Sequence, residues 1–258
     1  MNGIVFALVI PVGILILLLL ALEVGYRRGA RAVRVHDAEP TTQIGAVQGA
    51  LLGMLGLLLA FSFAAAGARF LERQDLIVAE ANAIGTAWLR ADMLGEPARS
   101  ELRSALKDYT AHRIAFRSRL LVRGQLAAAD AAEVERLQAR VWSSALAGVS
   151  DRPQTMLALL NPVNELIDLH STRMNAAQKH VPSPVLALLI ASSVLSLGVI
   201  GYGSGVGGRR SAAMTVPLAM VIAVALWVTI DLDFPRRGLL QLSDAPLESL
   251  RFDGVPER

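Results

Sequence analysis

The sequence predicts an all-α, polytopic membrane protein with four transmembrane helices and an all-helical soluble domain between the second and the third. Three observations carry this reading. Four apolar stretches are each long enough to cross a bilayer, which takes about 20 residues. The more polar sequence between the second and third stretches keeps helical periodicity. The composition is also too apolar for an ordinary soluble domain, with 53% hydrophobic and 18% charged residues and a mean hydropathy of +0.47.

Residues 3–22 form the first span. The segment lacks a basic start and a small-residue cleavage site, and its apolar core is too long for a signal peptide, so it is expected to stay in the membrane. Pro11 lies inside it, which a membrane helix tolerates when neighbours satisfy the freed carbonyl. Residues 23–43 read as a polar connector carrying Arg27, Arg28, Arg31 and Arg34, with a turn at Pro40. The second span, 44–67, belongs to the longest helical signal in the chain, Gly45–Leu94. No charge falls between Pro40 and Ala68, and no proline follows until Pro97. Beyond Ala68 the same helix turns amphipathic, with Phe70, Ile77, Ala81, Ile84 and Trp88 near helical spacing.

The soluble domain covers residues 68–181. Gly95-Glu96-Pro97 breaks the long helix. A second helix over Ala98–Arg123 is expected to bury Leu102, Leu106, Tyr109, Ile114 and Leu120, and to end at Gly124. Ala127–Leu146 is a third, with Val134, Leu137, Val141 and Leu146 facing inward. After Asp151-Arg152-Pro153 comes a fourth, Gln154–His180, with a kink or boundary at Asn161-Pro162. Pro182 and Pro184 mark re-entry into the membrane. The third span, 183–201, is expected to end in a flexible turn at Gly201–Gly205, followed by Arg209 and Arg210 in the connector. The fourth span, 211–230, carries Trp227 where an interfacial aromatic belongs. Residues 231–258 read as a polar, extended tail.

Several chemistries find no support. The chain has no cysteine, which excludes disulfides, thiolate metal sites and a cysteine nucleophile. His36, His112, His170 and His180 lie far apart, and none sits in an HExxH-type spacing. The glycine-rich run 203–208 follows a membrane helix rather than a strand, so it lacks the setting of a phosphate-binding loop, and no GxSxG elbow occurs. No enzyme, cofactor or metal is expected. Net charge is +3, and the arginines are interspersed with carboxylates, so there is no nucleic-acid footprint.

Conduction has a physical rationale. Gly53, Leu57 and Phe61 stand at i, i+4 and i+8, on one face of the second span with a small angular drift. Copies of that face gathered around an axis would stack apolar rings, which gate ions by dewetting; the same stripe serves equally for packing or lipid contact. Ala64, Ala65, Gly67 and Ala68 form a smooth patch suited to close helix approach, within the chain or between subunits. Asp75, Glu80 and Asn82 could set selectivity at a wide mouth. The cheaper account has Asn82 bonding between helices and the acids pairing with Arg69, Arg73 or Arg90.

A family resemblance runs through the same residues. Phe61, the run Ala68-Arg69-Phe70-Leu71-Glu72, Leu76 and Asn82 resemble the second membrane helix of bestrophins. The segment from Val78 to Arg90 and the ending Asp231-Leu232-Asp233-Phe234-Pro235-Arg236-Arg237-Gly238 resemble the bestrophin-like family of bacterial membrane proteins. The resemblance implies a homo-oligomeric channel for small inorganic ions, anions in particular. It implies a pentamer in the bacterial inner (plasma) membrane, with the helical domain cytoplasmic. The second span would line the pore, Phe61 would stand at the narrow neck, and Arg69, Glu72 and Asn82 would pack helices or subunits. The basic residue that some bestrophins carry after the aromatic is absent from Ala60-Phe61-Ser62. Asp231 and Asp233 offer fewer oxygens than a hard cation takes, so calcium regulation is not expected. Arginine tallies at the two membrane faces nearly balance and leave orientation open. Two functions remain: an ion channel, or a non-conducting scaffold or sensor whose helical domain binds a partner or ligand.

Overall fold

The computed structural model describes residues 3–35, 41–123, 128–151, 153–235 and 238–252. The expectations placed on His36, Pro40, Gly124, Arg152, Arg236 and Arg237, and on the side chain of Leu120, lie outside what is described. The described residues are helical or irregular, with no strand among them. The helices are α1 (Gly3–Arg34), α2 (Thr41–Arg90), α3 (Ala98–Arg123), α4 (Ala128–Val149), α5 (Pro153–Gln178), α6 (Ser183–Val206), α7 (Ala212–Asp233) and the short α8 (Ala245–Glu248). Four of them, α1, α2, α6 and α7, supply the membrane spans. The chain forms two compact units, one of residues up to 70 with 180–241, the other of 71–179 with 242 onwards.

The membrane unit is built on a seam of glycines. Gly25 and Gly29 of α1 face Gly198, Gly201 and Gly205 of α6. A Cβ on Gly25 would strike the carbonyl oxygen of Gly198, one on Gly201 that of Leu22, and one on Gly205 that of Tyr26. Lipid offers no hydrophobic drive for helices to associate, so such close backbone approach is what makes them pack. This seam corrects two expectations. The Gly201–Gly205 run is helix rather than turn; α6 continues to Val206, and the chain turns at Gly207 and Gly208, where Gly208 takes a positive φ of 66°. Likewise the connector after residue 22 is largely helix, since α1 runs on to Arg34, held against α6 and supported by the Glu23–Arg27 pair one turn apart (2.7 Å). Leu18, Leu55, Leu189, Leu197 and Leu226 fill the remaining core. Ser193, Ser196 and Thr229 return their hydroxyls to the carbonyls four residues earlier, so these three buried hydroxyls are paired within their own helices.

The helical unit centres on the continuation of α2, where Ile77, Ala81, Ile84 and Trp88 are buried as the periodicity predicts. Leu102, Leu106 and Tyr109 of α3 and Val134, Leu137 and Val141 of α4 meet them. Leu146 does not; it is exposed, and Ala145 and Val149 continue the inward stripe at four-residue intervals. The break at Gly95–Pro97 falls between α2 and α3, with the Arg99 guanidinium bonded to the Leu94 carbonyl. Pro162 does not end α5, which runs on through it to Gln178. A proline leaves the carbonyl four residues earlier without its helical donor, and here the Arg90 guanidinium takes that Ala158 oxygen.

The stretch after Gln241 is not a free tail. Leu247 is buried in the helical core, Leu242, Leu250 and Phe252 pack against it, and the Phe252 ring meets Trp88 edge-on at 4.9 Å. Gln74 and the Ser243 backbone exchange two hydrogen bonds of 2.9 Å. Four apolar side chains in eleven residues give this segment enough to bury, which its overall polarity hides.

Candidate pore-lining helix face

The protomer covers only one side of α2. In the membrane unit Ile44, Leu55, Ser62 and Ala66 are buried. The other side is open. Phe61 is 67% exposed, Leu57 57%, and Gly53, Ala64, Ala65 and Ala68 are exposed with them, while Gly67 is half-buried. A Cβ at Gly45, Gly49 or Gly53 would meet nothing within 4 Å. In the helical unit Leu71, Asp75, Val78, Asn82 and Leu89 are exposed. From Leu57 through Phe61, Ala64, Ala68, Leu71, Asp75, Val78 and Asn82 the steps alternate four and three residues. That alternation keeps a seam on one side of a helix wound about partners, whereas a strict four-residue step drifts away. Leu57 and Phe61, two of the three residues singled out from sequence, begin this longer stripe, and exposed Gly53 lies one turn before it.

The charged groups flanking the stripe are held by the protomer. Within the membrane unit the Arg69 Nε donates to Asp233 Oδ1 at 3.2 Å. In the helical unit Arg73 caps the end of α5 through the carbonyls of Ala176 (3.1 Å) and Lys179 (2.5 Å), and Glu72 lies 3.5 Å from Lys179 Nζ. Asn82 stands exposed rather than bridging helices.

Glu80 is where the sequence pointed to the wrong partners. It is fully buried and paired not with Arg69, Arg73 or Arg90 but with side chains from α3 and α5. Tyr109 Oη donates to Oε1 at 2.7 Å, Arg113 Nε to Oε1 at 3.0 Å, and Arg173 Nη1 to Oε2. Glu80 shares the inward phase of Ile77, Ala81 and Ile84, and that phase is the sequence signal that marks it as buried. Burial raises the Tyr109 phenol and lowers the Arg113 guanidinium from their ordinary values. Nearby His170 is pushed down to about 4, first by burial and then by the charges of Arg113 and His112.

The acidic pair at the end of α7 is committed to backbone. Asp231 accepts from the N–H groups of Leu239 (3.2 Å) and Leu240 (2.8 Å), and Gly238 leaves room for that carboxylate, which any Cβ there would strike. Asp233 accepts from Val181 N–H at 2.9 Å and from Arg69, with His180 Nδ1 3.3 Å away and its ring stacked on Phe234. Asp233 thus ties the C-terminal end of α7 to the chain entering α6, and Asp231 ties it to the segment that follows α7, a structural use of the motif.

Fold and site together define a polytopic, all-helical membrane protein whose second span leads directly into a soluble helical unit with one side uncovered. Residues 5–247 match the Bestrophin-like domain, and the chain belongs to the Bestrophin-like family. Among solved structures, the crystal structure of a membrane protein is similar to it with a TM-score of 0.67 at 18% identity, over 92% of this chain and 96% of the other. At that identity the likeness is one of fold. No curated protein matches the chain.

Proposed function

We propose that the protein is a homo-oligomeric ion channel of the bacterial inner membrane in which copies of α2 surround a common axis. The observation that carries this reading is the uncovered stripe of α2, with Leu57 and Phe61 among the most exposed apolar side chains of the membrane unit. Rings of Leu57 and Phe61 form a dewetting constriction. Gly53, with no side chain, leaves a wider section beside it. The small residues Ala64, Ala65 and Ala68 let neighbouring helices approach. Family membership supports a pentamer with the helical unit in the cytoplasm, on the pattern of bestrophins.

Ion flux through the purified protein in liposomes tests this. Phe61→Ala and Leu57→Ala each open the constriction, so flux is expected to rise relative to the wild type. Absence of flux from all three proteins across several salts and pH values would replace the channel with a non-conducting scaffold or sensor.

A further inference from the structure

We propose that Asp75 sets the sign of the permeating ion, giving the passage a preference for small cations; this rests on the axial placement of α2 proposed above. Six charged residues lie on α2 from Arg69 onward: Arg69, Glu72, Arg73, Asp75, Glu80 and Arg90. Arg69, Arg73, Glu80 and Arg90 are drawn into the protomer by hydrogen bonds or ion pairs, and Glu72 lies against Lys179. Asp75 alone belongs to the open stripe, exposed, and among the described residues no hydrogen bond or ion pair engages its carboxylate. It stands eighteen residues after Leu57, about five whole turns at 3.6 residues per turn, so the two side chains leave the helix in the same direction. With α2 gathered about a common axis, as proposed, Leu57 and Asp75 share one angular position on the same continuous helix.

Copies of Asp75 around that axis form a carboxylate ring about 21 Å along the helix from Phe61, at 1.5 Å per residue. Such rings concentrate cations and repel anions. The Debye length near physiological ionic strength is about 8 Å, so a fixed charge governs only the ions passing beside it. The arginines of α2 itself, Arg69, Arg73 and Arg90, are turned into the protomer. Arg27, Arg28, Arg31 and Arg34 lie on α1, and Arg209 borders the first turn of α2, about thirty residues before Asp75. A cation preference departs from the anion preference implied by likeness to bestrophins.

The test is the cation-to-anion permeability ratio from reversal potentials in planar bilayers under a KCl gradient. The proteins compared are the wild type, Asp75→Asn, Asp75→Lys and the control Glu101→Gln, which removes an exposed carboxylate on α3. The wild type is expected to favour K⁺, Asp75→Asn to lower the ratio several-fold, Asp75→Lys to invert it, and Glu101→Gln to leave it unchanged. Currents with the same ratio in all four proteins, or an equal shift from Glu101→Gln, overturn the role of Asp75 while leaving the channel standing. No current from any of them overturns both.

Discussion

Two guanidinium groups and a phenol converge on one carboxylate in the helical unit, and each side chain depends on the others being there. A buried ion pair is weak evidence for stability as a whole, yet removing one member costs about 3–5 kcal/mol because a charge is left uncompensated in a poor solvent. His170 sits in the field of this cluster. Its folded-state pKa is held down to about 4, from an ordinary 6.5, by burial and by Arg113 and His112. The folded chain therefore keeps this ring neutral where the unfolded chain would protonate it. Its contribution is complete above about pH 6.5 and is lost as pH falls from there toward 4, because the unfolded state takes up the proton first. Melting temperatures in detergent between pH 7 and 4 should fall more steeply for the wild type than for His170→Gln. Parallel curves would mean that His170 titrates alike in both states.

At the scale of elements, the α1–α6 seam and the open side of α2 use glycine for opposite ends, and substitution separates them. Gly201→Val places a side chain against the Leu22 carbonyl, which is backbone and cannot yield. Loss of folded, monodisperse protein is expected, since overpacking alone costs about 1–3 kcal/mol and this clash is with main chain. Gly53→Ala adds a methyl to open space, so the protomer should keep its thermal stability and gain a little from helix propensity, of order 0.8–1.0 kcal/mol. Similar melting temperatures for the two variants would contradict the packing described for α1 and α6. The same contrast explains what could and could not be read from sequence. A run such as Gly201-Tyr202-Gly203-Ser204-Gly205 has the composition of a turn. Only Gly25 and Gly29, four residues apart and 172 or more positions away, reveal it as one half of a seam. Pro162 is a comparable case, because the donor that lets α5 pass through it is Arg90, on another helix. Local signals placed the amphipathic phase of α2, α3 and most of α4 correctly. They failed where a distant partner decides the outcome.

For the whole molecule, the four spans and the inserted helical domain were legible because hydropathy and helical period act over lengths that match a bilayer and a helix turn. The extent of the candidate pore face was legible only in part. In a membrane, a side chain facing lipid and one facing an axial passage are both apolar, so composition does not separate them. Gly53, Leu57 and Phe61 could be named from spacing, but the structure was needed to find that the uncovered side runs on past Asn82 and includes Asp75. Because the chain contains no cysteine, this surface can be mapped without first removing any native thiol. Single cysteines at Leu57, Phe61, Ala64, Ala68, Asp75 and Val78 should cross-link between protomers on oxidation. Those at Leu188 of α6 and Val221 of α7, equally exposed but on other helices, should not. Disulfide geometry accepts Cα atoms only about 4.4–6.8 Å apart, so cross-linking should be strongest where the passage is narrowest and weaken toward Asp75 and Val78. Efficient cross-linking at Leu188 or Val221 with none on α2 would move the subunit contact to another face and turn the stripe toward lipid.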